Sequence, residues 1–203
     1  MTAAESAHTE PLNVRLSELV HYATDVREQL ESFVQTVPPS LQTQRTNPEG
    51  WTLAENIEHL CLIEDSIGRL ISSMAKQLRA DNVHEANAST MLGSLDQFGL
   101  AVTRSKLVSP TAYCPTGTLS TADALTKLRS IRERVLEGVQ KANGLDLTKA
   151  TFPHPFLGPL DGYQWLLLVG QHEMRHLNQM KDTVQMLTVA STASVPPAPQ
   201  GSL

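Results

Sequence analysis

Apolar residues recur at intervals of three and four along almost the whole chain, and no convincing run alternates with period two, so the pattern predicts helices throughout. The first is predicted over residues 13–37, with Leu16, Leu19, Val20, Ala23, Leu30, Phe33 and Val34 on its apolar side and Pro38 and Pro39 as its stop. The second opens at Thr52, where Thr52 and Glu55 have capping-box spacing behind Trp51, and continues to about Arg79. Its core stripe reads Ile57, Leu60, Ile63 or Glu64, Ile67, Leu70, Ile71 and Met74. A third helix runs from Ser120, with Asp123 three residues on, to the stop signal Asn143-Gly144. The fourth opens after Gly158 and Pro159, with Asp161 and Gln164 as its cap pair, and ends near Leu187.

Four long amphipathic helices in a chain of 203 residues most economically make an all-α four-helix bundle. The connections are unequal. Residues 80–119 between the second and third helices are too many for a tight turn, which predicts a crossover or a pocket-covering loop, with room for a short helix over residues 91–102. From Ser191 onward the chain is small, polar and Pro-rich, and is expected to be disordered.

Composition narrows the function classes. The length suits one well-buried core, and no internal repeat suggests two. The formal charge of −5 and the scatter of Lys and Arg leave no basic stripe for nucleic acid. The N-terminal run has no apolar core of signal-peptide length, and the longest apolar stretch, residues 165–169, is far too short for a bilayer, so the expectation is a soluble cytoplasmic protein with neither a nucleic acid nor a membrane as partner. Cys61 and Cys114 lack metal-type or disulfide spacing and read as free thiols, Cys61 packing in the second helix and Cys114 lying in a loop. A homodimer is the assembly such a chain is expected to form, if it forms any.

Three histidines carry the candidate chemistry. His172 and His176 are four residues apart, which on a helix places them about 40° apart in azimuth and roughly 6 Å apart along the axis, close enough to share one ion. They share a stripe with Trp165, Leu168, Val169 and Gln179, and two histidines on the buried side of a helix need partners for their ring nitrogens. A shared metal supplies these partners; hydrogen bonds within the core are the alternative. His59, alone in the second helix, is the natural third ligand, and three imidazoles leave coordination positions open for water or substrate. The run His172-Glu173-Met174-Arg175-His176 also satisfies the zinc-protease pattern H-E-x-x-H. That reading is disfavoured by context, because no further His or Glu follows downstream and the pattern predicts no strand before the helix.

Beyond spacing, Gly50-Trp51-Thr52-Leu53-Ala54-Glu55-Asn56-Ile57-Glu58-His59-Leu60 resembles the signature that opens the second helix of the DinB-like (DinB/YfiT) superfamily. The Gly-containing lead-in from Phe152 to Leu160, followed by His172-Glu173-Met174-Arg175-His176-Leu177-Asn178-Gln179, is similar to the family's last helix. The punctuated stretch from Ser109-Pro110 through Pro115-Thr116-Gly117 to Ser120 is similar to its entry into the third helix. The resemblance spans about residues 12–188 and leaves 1–11 and 189–203 as flexible tails. It implies a four-helix bundle with a metal on His59, His172 and His176. It also implies that Gln179 gives an outer hydrogen bond to a ligand, a rim contact or simple packing, and that His154 sits near the mouth of the site.

Three neutral imidazoles leave the charge of a divalent ion uncompensated and favour an anionic further ligand, a thiolate or ionised water. The family includes thiol S-transferases that use small cellular thiols and members regarded as hydrolases, so the resemblance implies a small-molecule substrate and a low-molecular-weight thiol as co-substrate. Glu173 is a candidate base, or else an ion-pair partner for Arg175 or a neighbouring helix. Zinc, nickel and iron all suit the donor set. The reading from a different class is a non-enzymatic bundle whose metal ties the helices together, acting as a stress-associated binding protein.

Overall fold

The computed structural model describes residues 10–85 and 109–193. Helix α1 (Val14–Thr36) starts where Asn13 Oδ1 accepts the N–H of Leu16 at 2.9 Å, and it ends before Pro38. Pro39 then opens the single turn α2 (Pro39–Gln42). Helix α3 (Leu53–Ala80) carries the full capping box: Thr52 Oγ1 accepts from Glu55 N at 3.2 Å and Glu55 Oε2 accepts from Thr52 N at 2.8 Å. Ser120 caps α4 (Thr121–Ala142), and Gly144, at φ +77°, turns the chain out of it in the left-handed region that glycine tolerates.

Two elements differ from the expectation. Strands β1 (Thr151–His154) and β2 (Gly158–Asp161) form an antiparallel hairpin with Phe152 opposite Leu160 and Pro153 opposite Pro159. Leu160 is the one buried residue of the two strands, so the strands carry no alternation to read. Helix α5 (Gly162–Ala193) opens on the reciprocal pair Asp161 and Gln164, each accepting the other's N–H at 2.9 Å, but runs past Leu187. Thr188 and Ser191 bond back to the carbonyls of Val184 and Leu187, so polar residues that read as loop formers are accommodated inside the helix, and residues 191–193 are helical rather than disordered. The short helix expected within residues 91–102 lies outside the described residues.

Facing residues give the directions of the four long helices. Gly68 meets Val135 and Gly138 meets Ser72, so α3 and α4 run parallel. Tyr22 lies on Gly170, where a Cβ would come within 2.6 Å of the ring, and Arg15 covers the ring of Tyr163, so α1 and α5 also run parallel. Asn56 meets His176 and His59 meets His172, which makes α3 antiparallel to α5. The end of α3 and the start of α4 therefore lie at opposite ends of the bundle. Helix α3 alone is about 42 Å long at 1.5 Å per residue, which accounts for the length of the connection between them. The core between the helices is filled by Leu16, Leu30, Ile57, Ile71, Leu128, Leu168 and Leu177, all fully buried. On α3 the ambiguous stripe position resolves to Glu64, which is buried, while Ile63 is only partly so.

Candidate metal centre

The second turn of α3 and the middle of α5 bring the three histidines into one cluster. The ring centroids of His59, His172 and His176 lie 5.2 Å (His59 to His172), 4.8 Å (His59 to His176) and 4.6 Å (His172 to His176) apart. One ring nitrogen from each falls within 4.8 Å of the others. Among the described residues, no further His, Cys, Asp or Glu joins them. His59 and His176 are buried and His172 is partly open. Cys61 points instead toward α4, with Sγ 3.5 Å from the Ala124 carbonyl, and burial pushes its thiol up to about 12. Cys114 is exposed.

Hydrogen bonds fix two of the rings. His59 Nδ1 lies 2.7 Å from the Tyr113 carbonyl. A carbonyl can only accept, so Nδ1 carries the proton and Nε2 keeps its lone pair. His176 Nδ1 lies 3.0 Å from Asn56 Oδ1, and Asn56 Nδ2 donates to the Thr52 carbonyl at 2.9 Å. That second bond orients the amide with its oxygen toward the ring, so His176 too is protonated at Nδ1. Imidazoles held in this way are the form in which a histidine presents Nε2 to a metal. Burial lowers the pKa of all three. His172 is pushed down to about 3 by burial and then by His59, and His176 lies well below the ordinary range. The cluster is therefore neutral at pH 7, as ligation requires.

Asn56 is legible in hindsight, since it sits three residues before His59 on the same helical face. Tyr113 is not, because 54 residues separate it from His59 and only the fold joins them. The returning connection thus meets α3 beside Trp51, whose ring lies 4.9 Å from that of His59 and stacks at 6.2 Å on His176. His154, on β1, is partly buried. Its ring lies 5.3 Å from that of Trp165, its Nδ1 accepts from Phe156 N at 3.2 Å, and its charge would act on His172. Trp165 Nε1 in turn donates to the Phe152 carbonyl at 3.2 Å, which docks the hairpin on α5. Gln179 is exposed on α5.

Glu173 is buried away from solvent, and both its oxygens are engaged. Arg27 from α1 donates to Oε1 at 2.5 Å and Arg132 from α4 donates to Oε2 at 2.9 Å. The same two guanidiniums hold Glu64 of α3, so each long helix contributes one member of a buried, neutral set of four charges. Burial opposes the charge on Arg27, but Glu173 and Glu64 together raise its pKa.

The DinB superfamily model matches residues 22–180. The uncharacterized protein YuaE of Bacillus subtilis is 24% identical over 140 residues, covering 68% of this chain and 80% of YuaE. The crystal structure of TT2238, a four-helix bundle protein, superposes with a TM-score of 0.57 at 22% identity, over 83% of this chain and 99% of TT2238, which bears on the fold alone. No helix among the described residues is long and apolar enough to cross a membrane.

Proposed function

The chain belongs to the DinB superfamily, and we propose that His59, His172 and His176 hold one divalent ion, zinc, nickel or iron, in an enzyme that activates a small thiol or water toward an electrophilic substrate. The activity is that of a thiol S-transferase or a hydrolase. One observation carries this reading: two of the three rings are locked by Tyr113 and Asn56 with Nε2 unprotonated, in a cluster to which no acidic or thiol side chain contributes among the described residues. When bound, an ion with only neutral protein ligands would favour the anionic form of a thiol or water brought to it.

The surrounding residues have separable tasks. Trp51 covers His59 and His176 on one side and excludes water there. His172 is the least buried of the three, and on this reading substrate enters from its side, with the half-buried His154 and the exposed Gln179 assigned to the rim. Glu173, with both oxygens engaged by its two arginines, positions α5. The unpaired thiols Cys61 and Cys114 suit a reducing cytoplasm.

The test is cobalt-substituted protein titrated with small thiols or azide, alongside turnover assays over a panel of thiols and model electrophiles. A shift of the d-d bands, with turnover abolished by His172→Ala, is the expected result. Bands that do not respond, together with no metal-dependent turnover, would replace the enzyme with a metal-stabilised binding protein.

A further inference from the structure

Residues 109–119 lie along α3 beside His59, and α3 itself holds them there. Glu58 is buried, and both its oxygens are engaged by this strap: Oε1 accepts from Thr116 Oγ1 at 2.8 Å and Oε2 accepts from Gly117 N at 3.0 Å. Gly117, at φ +71°, approaches so closely that a Cβ would lie 2.9 Å from Oε1 of Glu55. A second anchor lies two turns along α3, where the Tyr113 hydroxyl and Ser66 Oγ are 3.2 Å apart. Between the two anchors, the Tyr113 carbonyl receives the Nδ1–H of His59 at 2.7 Å. A buried carboxylate costs stability unless its bonds are made. Here both bonds go to the segment that orients the neighbouring histidine.

We propose that Glu58 is a positioning residue for the three-histidine site. By latching Thr116 and Gly117 it seats the strap so that the Tyr113 carbonyl fixes His59 as the Nδ1–H tautomer and leaves Nε2 with its lone pair. The effect on metal affinity rests on the reading of the cluster as a metal centre; the effect on the tautomer does not.

Long-range 1H–15N correlation spectra of the metal-free full-length protein read that tautomer directly. Wild-type His59 is expected in the Nδ1–H form. Glu58→Ala, which removes both acceptors, should mix in the Nε2–H form. Glu58→Gln keeps one carbonyl acceptor and should recover part of the wild-type pattern. Thr116→Val breaks one bond without touching α3, and decides the matter if Glu58→Ala does not fold. Zinc affinity, measured by chelator competition, should fall about 10-fold or more in Glu58→Ala, with helix content unchanged by circular dichroism. A wild-type tautomer in every folded variant would overturn the latch. Unchanged zinc affinity in a His172→Ala control would overturn the metal reading instead, and the spectra of the metal-free protein would still decide the role of Glu58.

Discussion

Arg27 donates from Nε to Oε1 of Glu173 at 2.5 Å, and through this pair α1 grips α5 between the two turns that carry His172 and His176. Arg132 and Glu64 complete the set, and the guanidiniums also donate to the carbonyls of Leu128 and Ala23. The charges balance only as a group of four. Glu173→Gln should leave two buried guanidiniums against one carboxylate and cost about 3–5 kcal/mol in chemical denaturation. Replacing all four by apolar residues of similar volume should return much of that loss. A Glu173→Gln variant as stable as wild type would show that the set does not hold the bundle.

Asn56 orients His176 from within α3, and the bond from its amide to the Thr52 carbonyl keeps it from flipping. Asn56→Leu should therefore weaken metal binding about 10- to 100-fold while leaving helix content intact. Isothermal titration of the purified variant with zinc checks this. Affinity equal to wild type would remove Asn56 from the site.

Acid should destabilise the metal-free protein through the same three histidines. Their pKa values in the folded state are depressed, that of His172 to about 3, whereas in the unfolded chain each takes a proton near its ordinary value of 6.5. Below that value the unfolded state binds more protons, so the stability present at pH 7 is lost as pH falls toward the folded-state values. The slope is up to about 1.4 kcal/mol per pH unit for each fully shifted group. Denaturant titrations of metal-free wild type between pH 7.5 and 4.5 should show this decline, and His172→Leu should flatten it. Equal slopes in the two proteins would contradict the assignment.

What was legible in the sequence follows from how local each signal is. The starts of the long helices could be read because Asn13, Thr52, Ser120 and Asp161 each bond within three residues of themselves. The triad could be read because His172 and His176 obey helical spacing and His59 lies near the start of a second capped helix. The hairpin at residues 151–161 could not, since it presents mostly exposed residues and three prolines. Nor could the contact of Tyr113 with His59, because it depends on where the crossover returns. Glu173 shows the same limit: its sequence left open a base or an ion pair with Arg175 or a neighbouring helix, and only tertiary packing names the partners, Arg27 and Arg132.

Metal content by mass spectrometry of protein purified without added chelator tests the central claim most directly, with wild type compared against His59→Ala, His172→Ala and His176→Ala. The cluster geometry predicts one divalent ion per wild-type chain and a strong loss of occupancy in each variant, with the helical circular dichroism retained. Occupancy unchanged in all three variants, or no metal retained by wild type even after incubation with zinc, nickel and iron, would contradict it.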